Sequence, residues 1–256
     1  MDMKEAIDQQ IQAIEANNGV RVLFACESGS RAWGFASPDS DYDVRFIYAQ
    51  PLNNYLSIRD GKDTIDLPVN EVLDVNGWDI RKALQLFLKS NAPLYEWLQS
   101  PIVYKADSDF SRELRELMPT YFSLRAGCHH YLSIVRNTFD NDLQGEQVKL
   151  KRYFYAFRSL LAALWIVENK SLPPMEFGPL RTLIADKDWN ESIDALLVQK
   201  KAADEKALIT PVALLQQWIG ETLVYCNWKA SALEPGKPDI VLLDVLFRKY
   251  TGYHDL

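Results

Sequence analysis

The chain has 256 residues, 48% of them hydrophobic, which is sufficient for a buried core, and its formal net charge of −7 excludes a protein that coats nucleic acid non-specifically. Its three cysteines are widely spaced and odd in number, which argues against a disulfide framework or a zinc site and favours a cytoplasmic protein. No apolar run reaches the roughly 20 residues that span a bilayer, and the polar start MDMKEAIDQQ is unlike a signal peptide.

The first hundred residues carry both helix and strand signals. Apolar residues at helical spacing predict a helix over 3–17, and the apolar run VRVLFAC predicts a buried strand over 20–26. A loop rich in Gly, Ser and Pro follows over 28–40, and β-branched and aromatic residues predict a second strand over 41–48. The remaining predicted elements are strands over 64–69 and 71–75, an Asn-Gly turn at 76–77 and a helix over 79–89.

Strand signals end near residue 105, and long amphipathic segments follow. They predict helices over 108–118, 120–140, 147–168, 190–206, 210–228 and 238–250. We therefore expect an α+β protein with a small mixed sheet and flanking helices over 1–104, followed by an α-helical bundle over 105–256.

Two carboxylates stand at the start of the second predicted strand. Asp41 and Asp43 flank Tyr42, and because side chains alternate along a strand, both are expected on one face. Carboxylates this close repel each other, and a divalent cation between them relieves the repulsion. Mg²⁺ suits such oxygen ligands together with substrate phosphates, and Mn²⁺ is the alternative. The alternative is that Ser-Pro-Asp-Ser-Asp over 37–41 is an ordinary exposed turn and that Asp-x-Asp is a solvated strand edge.

The loop before these aspartates has the composition of a phosphate-binding loop. Gly29 lets a phosphate approach backbone N–H groups, Ser30 adds a hydroxyl donor and Arg31 adds a cation. The order of apolar strand, Gly-Ser, spacer, Asp-x-Asp and apolar strand is a layout for phosphoryl or nucleotidyl transfer. The chain has neither a Walker-type loop nor a GxGxxG motif that would favour another nucleotide site.

This pattern resembles the DNA polymerase β-like nucleotidyltransferase superfamily. The segments that carry the resemblance are SGSRAWG at 28–34, SDYDVR at 40–45, GWDIRKAL at 77–84, KSN at 89–91 and EWL at 96–98. They look closest to the RlaP-type branch of nucleotidyltransferases linked to RNA repair. The resemblance covers most of 20–104 and continues more weakly into KRYFY at 151–155.

The resemblance implies a nucleotidyltransferase-type sheet and assigns roles to four residues of the motif. Gly29 and Ser30 would hold the β- and γ-phosphates of an NTP, for which ATP is the favoured candidate. Asp41 and Asp43 would hold two Mg²⁺ ions. An acceptor hydroxyl would then attack the α-phosphorus, and pyrophosphate would leave.

The resemblance also implies a third carboxylate on a neighbouring strand, which helps to activate the attacking hydroxyl. Asp74 lies in an apolar-Asp-apolar pattern that suits a strand, and it is the first choice. Asp79 is the second, although its place at a predicted helix start also suits a capping residue. Asp66 has the same apolar neighbours as Asp74 and is the third candidate.

A basic stripe in the helical half is a further candidate for nucleotide binding. Lys151, Tyr155 and Arg158 share one face of the predicted helix over 147–168, opposite its apolar stripe. One interpretation is that they grip the nucleotide and face Asp41 and Asp43 across a cleft. The other is an ordinary solvated face, and the resemblance favours the first.

The resemblance thus predicts a Mg²⁺-dependent nucleotidyltransferase whose acceptor is an RNA end, a protein or a small molecule. The alternative is a non-catalytic nucleotide-binding or antitoxin-like partner protein that retains the fold. The intact residues Gly29, Ser30, Asp41 and Asp43 argue against that alternative.

Overall fold

The structure, a computed structural model, describes residues 2–59, 61–68, 72–236 and 239–252. Its contacts divide the chain into two compact units. The sheet unit consists of Met1–Gly29, Asp41–Tyr121 and Lys237–Leu256, and the helical unit consists of Ser30–Ser40 and Phe122–Gly236.

These units differ from the predicted domain ranges, 1–104 and 105–256, which follow the point where strand signals end. The helix that begins at Ser108 packs on the first strand, and the last helix packs on a helix of the sheet unit. The loop over 30–40, in contrast, belongs to the helical unit. Amphipathic periodicity identifies a helix but not the surface on which it packs. The sequence therefore did not reveal that these two helices belong to the sheet unit and that the loop over 30–40 belongs to the helical unit.

The elements up to residue 121 are, in chain order, α1 (Met3–Asn18), β1 (Arg21–Glu27), α2 (Gly29–Trp33), β2 (Tyr42–Ala49), α3 (Leu52–Tyr55), β3 (Thr64–Asp66), β4 (Leu73–Asp79), α4 (Ile80–Leu88), α5 (Ala92–Gln99), β5 (Val103–Ala106) and α6 (Ser108–Tyr121). Those that follow are α7 (Leu124–Asp142), β6 (Val148–Lys149), α8 (Leu150–Asn169), α9 (Phe177–Arg181), α10 (Lys187–Ala202), β7 (Leu208–Ile209), α11 (Ala213–Ala230) and α12 (Val241–Thr251).

Within the described residues, the sheet unit has a five-stranded mixed sheet in the order β3-β4-β2-β1-β5. Strand β1 runs antiparallel to β2 and β5, whereas β2 and β4 are parallel. This arrangement confirms the predicted α+β class. The apolar face of α1, formed by Ile7, Ile11 and Ile14, packs on one side of the sheet, and burial of each side chain contributes roughly 1.5–3 kcal/mol.

One predicted turn is wrong. The Asn-Gly pair at 76–77 lies inside β4, which runs on to Asp79. A Cβ added to Gly77 would lie 2.1 Å from Cε2 of Phe46, so the glycine here makes room for an aromatic ring of the neighbouring strand. The predicted strand over 64–69 forms at Thr64–Asp66, while residues 69 and 71 lie outside the described part of the chain.

The helical unit is built around α8, which packs against α7 and α11. Of the five residues of its predicted apolar stripe, four are buried and Leu164 is half-buried; the buried ones are Leu150, Phe154, Phe157 and Leu161. Phe35, from the loop over 30–40, packs on Phe154 with ring centroids 5.3 Å apart. No helix in the described residues has the length and apolar character needed to cross a membrane.

Candidate active site

The parallel pairing of β2 with β4 brings two of the predicted carboxylates together. Asp43 and Asp74 are direct partners in the ladder, and both side chains are about one-third exposed, at 31% and 34%. Asp74 is therefore the neighbouring-strand carboxylate that the sequence favoured. Asp41 lies just before β2, which begins at Tyr42, and it is exposed. Asp41 was expected on the strand itself, and its place beside Asp43 stays a prediction.

Arg45 links the two carboxylates. Its Nη2 donates to Oδ1 of Asp43 at 3.1 Å and to Oδ2 of Asp74 at 2.7 Å. Its Nη1 donates to the backbone carbonyls of Val44 and Asp74, at 3.1 and 3.0 Å. Since Arg45 lies two residues after Asp43 on the strand, both side chains share one face. One guanidinium thus bridges like charges on adjacent strands.

The backbone of Gly29 lies directly against the carboxylate of Asp43. Gly29 has a φ of +60°, and a Cβ placed on it would lie 2.1 Å from Oδ2 of Asp43. A side chain at this position therefore meets both a strained backbone and a steric clash. Gly29, the glycine of the predicted phosphate-binding loop, is therefore packed directly against the carboxylate of Asp43.

Glu27, which was not predicted as a site residue, holds the backbone of Asp43 through a hydrogen bond. It is fully buried, its Oε1 accepts a hydrogen bond from the backbone N–H of Asp43 at 2.8 Å, and its Oε2 accepts one from the hydroxyl of Tyr104. The backbone N–H of Ser28 donates to the carbonyl of Asp43 at 2.8 Å. The sequence did contain a signal for Glu27. It is a glutamate that ends an apolar strand and stands directly before the segment Ser28-Gly29-Ser30.

The other two candidates for the third carboxylate lie elsewhere. Asp79 pairs with Tyr48, at the opposite end of the β2–β4 ladder from Asp43, and it accepts a hydrogen bond from the backbone N–H of Arg81 as the N-cap of α4. Asp66 is exposed on β3 and is hydrogen-bonded by Asn76. The structure therefore corrects the assignment of Asp79, whose environment is that of a capping residue.

We expect Asp79→Ala to lower the free energy of unfolding by about 1–3 kcal/mol, since it removes a helix cap and leaves two half-buried donors without this acceptor. Those donors are the hydroxyl of Tyr55 at 2.8 Å and the side-chain amide of Gln50 at 3.1 Å. Urea unfolding measures the loss. Asp63→Ala is the control, because that carboxylate is 62% exposed and makes one surface ion pair, with Lys82. Equal stability of the two variants would contradict the capping role.

The donor set is compatible with a divalent cation that also binds substrate phosphates. Within the described residues, no group of three or more His, Cys, Asp and Glu side chains is arranged to hold a metal ion by protein ligands alone. Mg²⁺, however, usually takes one or two carboxylates and completes its shell with water and phosphate oxygens. Asp43 and Asp74 provide two such carboxylates, and Gly29 keeps the space beside Asp43 free of a side chain.

In the helical unit, the loop that carries Ser30 and Arg31 is held by internal hydrogen bonds. Ser30 is buried in the first turn of α2, where its carbonyl accepts from the backbone N–H groups of Gly34 and Phe35. Arg31 donates from Nη2 to the carbonyl of Ser40 at 2.6 Å. Arg31 therefore stabilises the end of the loop, and its contact with phosphate stays a prediction.

A buried lysine and a glutamate hold the turn over 37–40. Lys200, 2% exposed, donates to Oγ of Ser37 at 2.8 Å, and the hydroxyl of Ser40 donates to Glu205 at 2.7 Å. Nζ of Lys200 lies 3.6 Å from Glu205. The Ser-Pro-Asp-Ser turn is therefore not an ordinary exposed turn, because a buried ammonium of this kind requires a charged partner and hydrogen bonds.

The predicted basic stripe on α8 is not a solvated face. Lys151 forms an ion pair with Glu205 at 2.9 Å, and Tyr155 packs edge-on against Trp33 with ring centroids 5.4 Å apart. Arg158 is 3% exposed, and its guanidinium lies 4.5 Å from the centre of the Trp33 ring. The solvated interpretation is wrong for Arg158, because the loop over 30–40 covers this side of the helix. Nucleotide binding by these three residues stays a prediction.

Glu205 gives the helical unit a stability that depends on pH. Burial raises the pKa of Glu205, but hydrogen bonds from Lys151 and Ser40 and the charges of Lys200 and Lys151 outweigh it, so the pKa lies below its ordinary value of 4.5. A carboxylate with a lowered folded-state pKa stabilises the fold fully above the unfolded value and loses this contribution as the pH falls through the folded value.

We therefore expect Glu205→Gln to destabilise the protein most at neutral pH, with the difference from wild type shrinking as the pH falls below 4.5. Urea unfolding over a pH series measures this. Glu191→Gln is the matched control, because Glu191 pairs with Lys187 on the exposed surface of α10. A difference for Glu205→Gln that stays constant on acidification would show that its charge does not stabilise the turn.

The chain is similar to known proteins over nearly its whole length. The model of the family described as "RlaP: RNA repair pathway DNA polymerase beta family" matches residues 3–249. Over 239 residues the chain is 40% identical to the uncharacterized protein YcgL of Bacillus subtilis (strain 168), covering 93% of this chain and 92% of that protein. A crystal structure of a nucleotidyltransferase-like protein from Exiguobacterium sibiricum 255-15 aligns with 95% of this chain and with 78% of that protein, at 14% identity and a TM-score of 0.33.

Proposed function

The chain belongs to the RNA repair pathway DNA polymerase beta family, and on that premise we propose that it transfers a nucleoside monophosphate from an NTP to an acceptor hydroxyl. One observation carries the proposal. Asp43 and Asp74 are ladder partners on adjacent parallel strands, and Gly29 presents bare backbone to Asp43. A site for a metal-bound triphosphate needs carboxylates for the metal and open backbone for the phosphates. Asp43 and Asp74 supply the first, and Gly29 supplies the second.

In this mechanism Asp43 and Asp74, with Asp41, are the residues that would hold Mg²⁺, which when bound neutralises charge on the phosphate oxygens. Gly29 and Ser30 bind the β- and γ-phosphates through N–H and hydroxyl donors. Asp74 accepts the proton of the attacking hydroxyl. The new bond joins that oxygen to the α-phosphorus, the bond between the α-phosphorus and its bridging oxygen breaks, and pyrophosphate carries away the electron pair.

The acceptor that we propose first is an RNA end, because the family is described as part of an RNA repair pathway. ATP is the NTP that we propose first. A non-catalytic nucleotide-binding protein is the second candidate. It is favoured by Arg45, which contacts both carboxylates and offsets part of their negative charge with a cation of the protein itself.

The test incubates the full chain with Mg²⁺ and each of the four NTPs labelled at the α-phosphorus, together with RNA oligonucleotides, protein extract or small-molecule extract. Label in RNA with release of pyrophosphate supports the proposal, and label in another fraction identifies a different acceptor for the same reaction. Nucleotide binding without transfer supports the second candidate. Neither binding nor transfer in any fraction would overturn both.

A further inference from the structure

Arg45 contacts the Asp43–Asp74 pair through two nitrogens with different partners. Nη1 is bound to two backbone carbonyls, those of Val44 and Asp74. Nη2 faces the carboxylates and is bound to one oxygen of each. The first nitrogen therefore fixes the guanidinium to the sheet, and the second supplies charge between the two acidic side chains.

Without a cation between them, Asp43 and Asp74 would be like charges placed directly opposite on neighbouring strands, an arrangement that destabilises a sheet. Arg45 reduces that penalty, and its side chain is 18% exposed, so solvent screens its charge only partly. One of the two negative charges of the pair is thus offset by a residue that lies on β2 with Asp43.

Nη2 of Arg45 binds one of the two oxygens of each carboxylate, so a cation that uses these same oxygens must share them with Arg45. Oδ1 of Asp43 and Oδ2 of Asp74 both accept from Nη2, while Oδ2 of Asp43 lies on the side of Gly29. A divalent ion placed between the two carboxylates therefore competes with Nη2 for ligand atoms and is repelled by the guanidinium charge.

We propose that Arg45 is the internal counter-ion of the Asp43–Asp74 pair and that, by competing for its oxygens, it sets the affinity of this site for a divalent cation. The proposal rests on the proposed function, since it takes the pair to be the metal site. In this arrangement a bound cation displaces Nη2 alone, and the contacts of Nη1 with the two carbonyls keep Arg45 in place.

The experiment measures Mn²⁺ binding to the full chain by calorimetry and by electron paramagnetic resonance. Arg45→Met removes the charge and keeps most of the side-chain volume, so we expect it to bind Mn²⁺ at least about tenfold more tightly than wild type. Arg45→Lys keeps the charge and is expected to bind within a few-fold of wild type. Lys82→Met, which removes a cation paired with Asp63, is the matched control and should leave the affinity unchanged.

Thermal unfolding gives a second readout that does not depend on activity. Arg45→Met should melt below wild type in EDTA, and Mn²⁺ should raise its melting temperature by more than it raises that of wild type. If Arg45→Met does not fold, Arg45→Gln serves for the same two measurements. Mn²⁺ binding that is unchanged or weaker in the neutral variant would overturn the counter-ion role while leaving the proposed function intact. Failure of both wild type and Arg45→Met to bind Mn²⁺ would instead overturn the metal site of the proposed function, and this inference with it.

Discussion

Asp43→Asn is expected to abolish nucleotide transfer and to weaken Mn²⁺ binding at least about tenfold, because it removes one of the three proposed anionic ligands. The substitution keeps the shape of the side chain, and the amide oxygen still accepts from Arg45. The backbone bonds of Asp43 with Glu27 and Ser28 do not involve its side chain. The fold should therefore stay intact, and the loss of transfer should result from the missing metal ligand and not from unfolding.

Transfer of the labelled α-phosphoryl group to the acceptor measures activity, calorimetry measures the affinity for Mn²⁺, and a thermal melt measures the stability of the fold. Asp66→Asn is the matched control, since it makes the same chemical change on an exposed position of β3. Its activity should equal that of wild type. Turnover at the wild-type rate in Asp43→Asn would show that the assignment of the metal ligands is wrong.

Gly29→Ala is expected to lower the transfer rate about 100-fold, because a displacement of about 1 Å in a catalytic group has an effect of that size. The added Cβ would lie 2.1 Å from Oδ2 of Asp43, so the carboxylate or the loop has to move. Gly29→Val should lose more, since its branched side chain fills the space that a phosphate needs. Affinity for the NTP, measured by calorimetry, should fall in parallel.

Gly19→Ala separates this steric effect from backbone strain. Gly19 ends α1 with a φ of +61°, nearly the same as Gly29, but a Cβ there meets nothing within 4 Å. Both alanine variants should lose about 1 kcal/mol of stability through the left-handed backbone. We expect the Gly29 variant alone to lose activity, and equal activity in the two variants would mean that the contact with Asp43 has no functional role.

Much of the local structure followed from the sequence, since it depends on periodicity. Isoleucines at helical spacing predicted α1, and the apolar run before Glu27 predicted β1. The apolar neighbours of Asp74 predicted its place on a strand, which is β4. Each of these expectations needs only a few consecutive residues.

The choice between Asp74 and Asp79 required the tertiary structure. Both lie on β4, and the register of that strand against β2 alone decides that Asp74, and not Asp79, stands opposite Asp43. The burial of Arg158 likewise depends on a distant loop that places Trp33 on α8. A sequence pattern records how often apolar residues recur and which face they share, but pairing partners and register are set by packing between segments far apart in the chain. The sequence by itself therefore determined the kinds of residue in the candidate site, and the fold decided which of them meet.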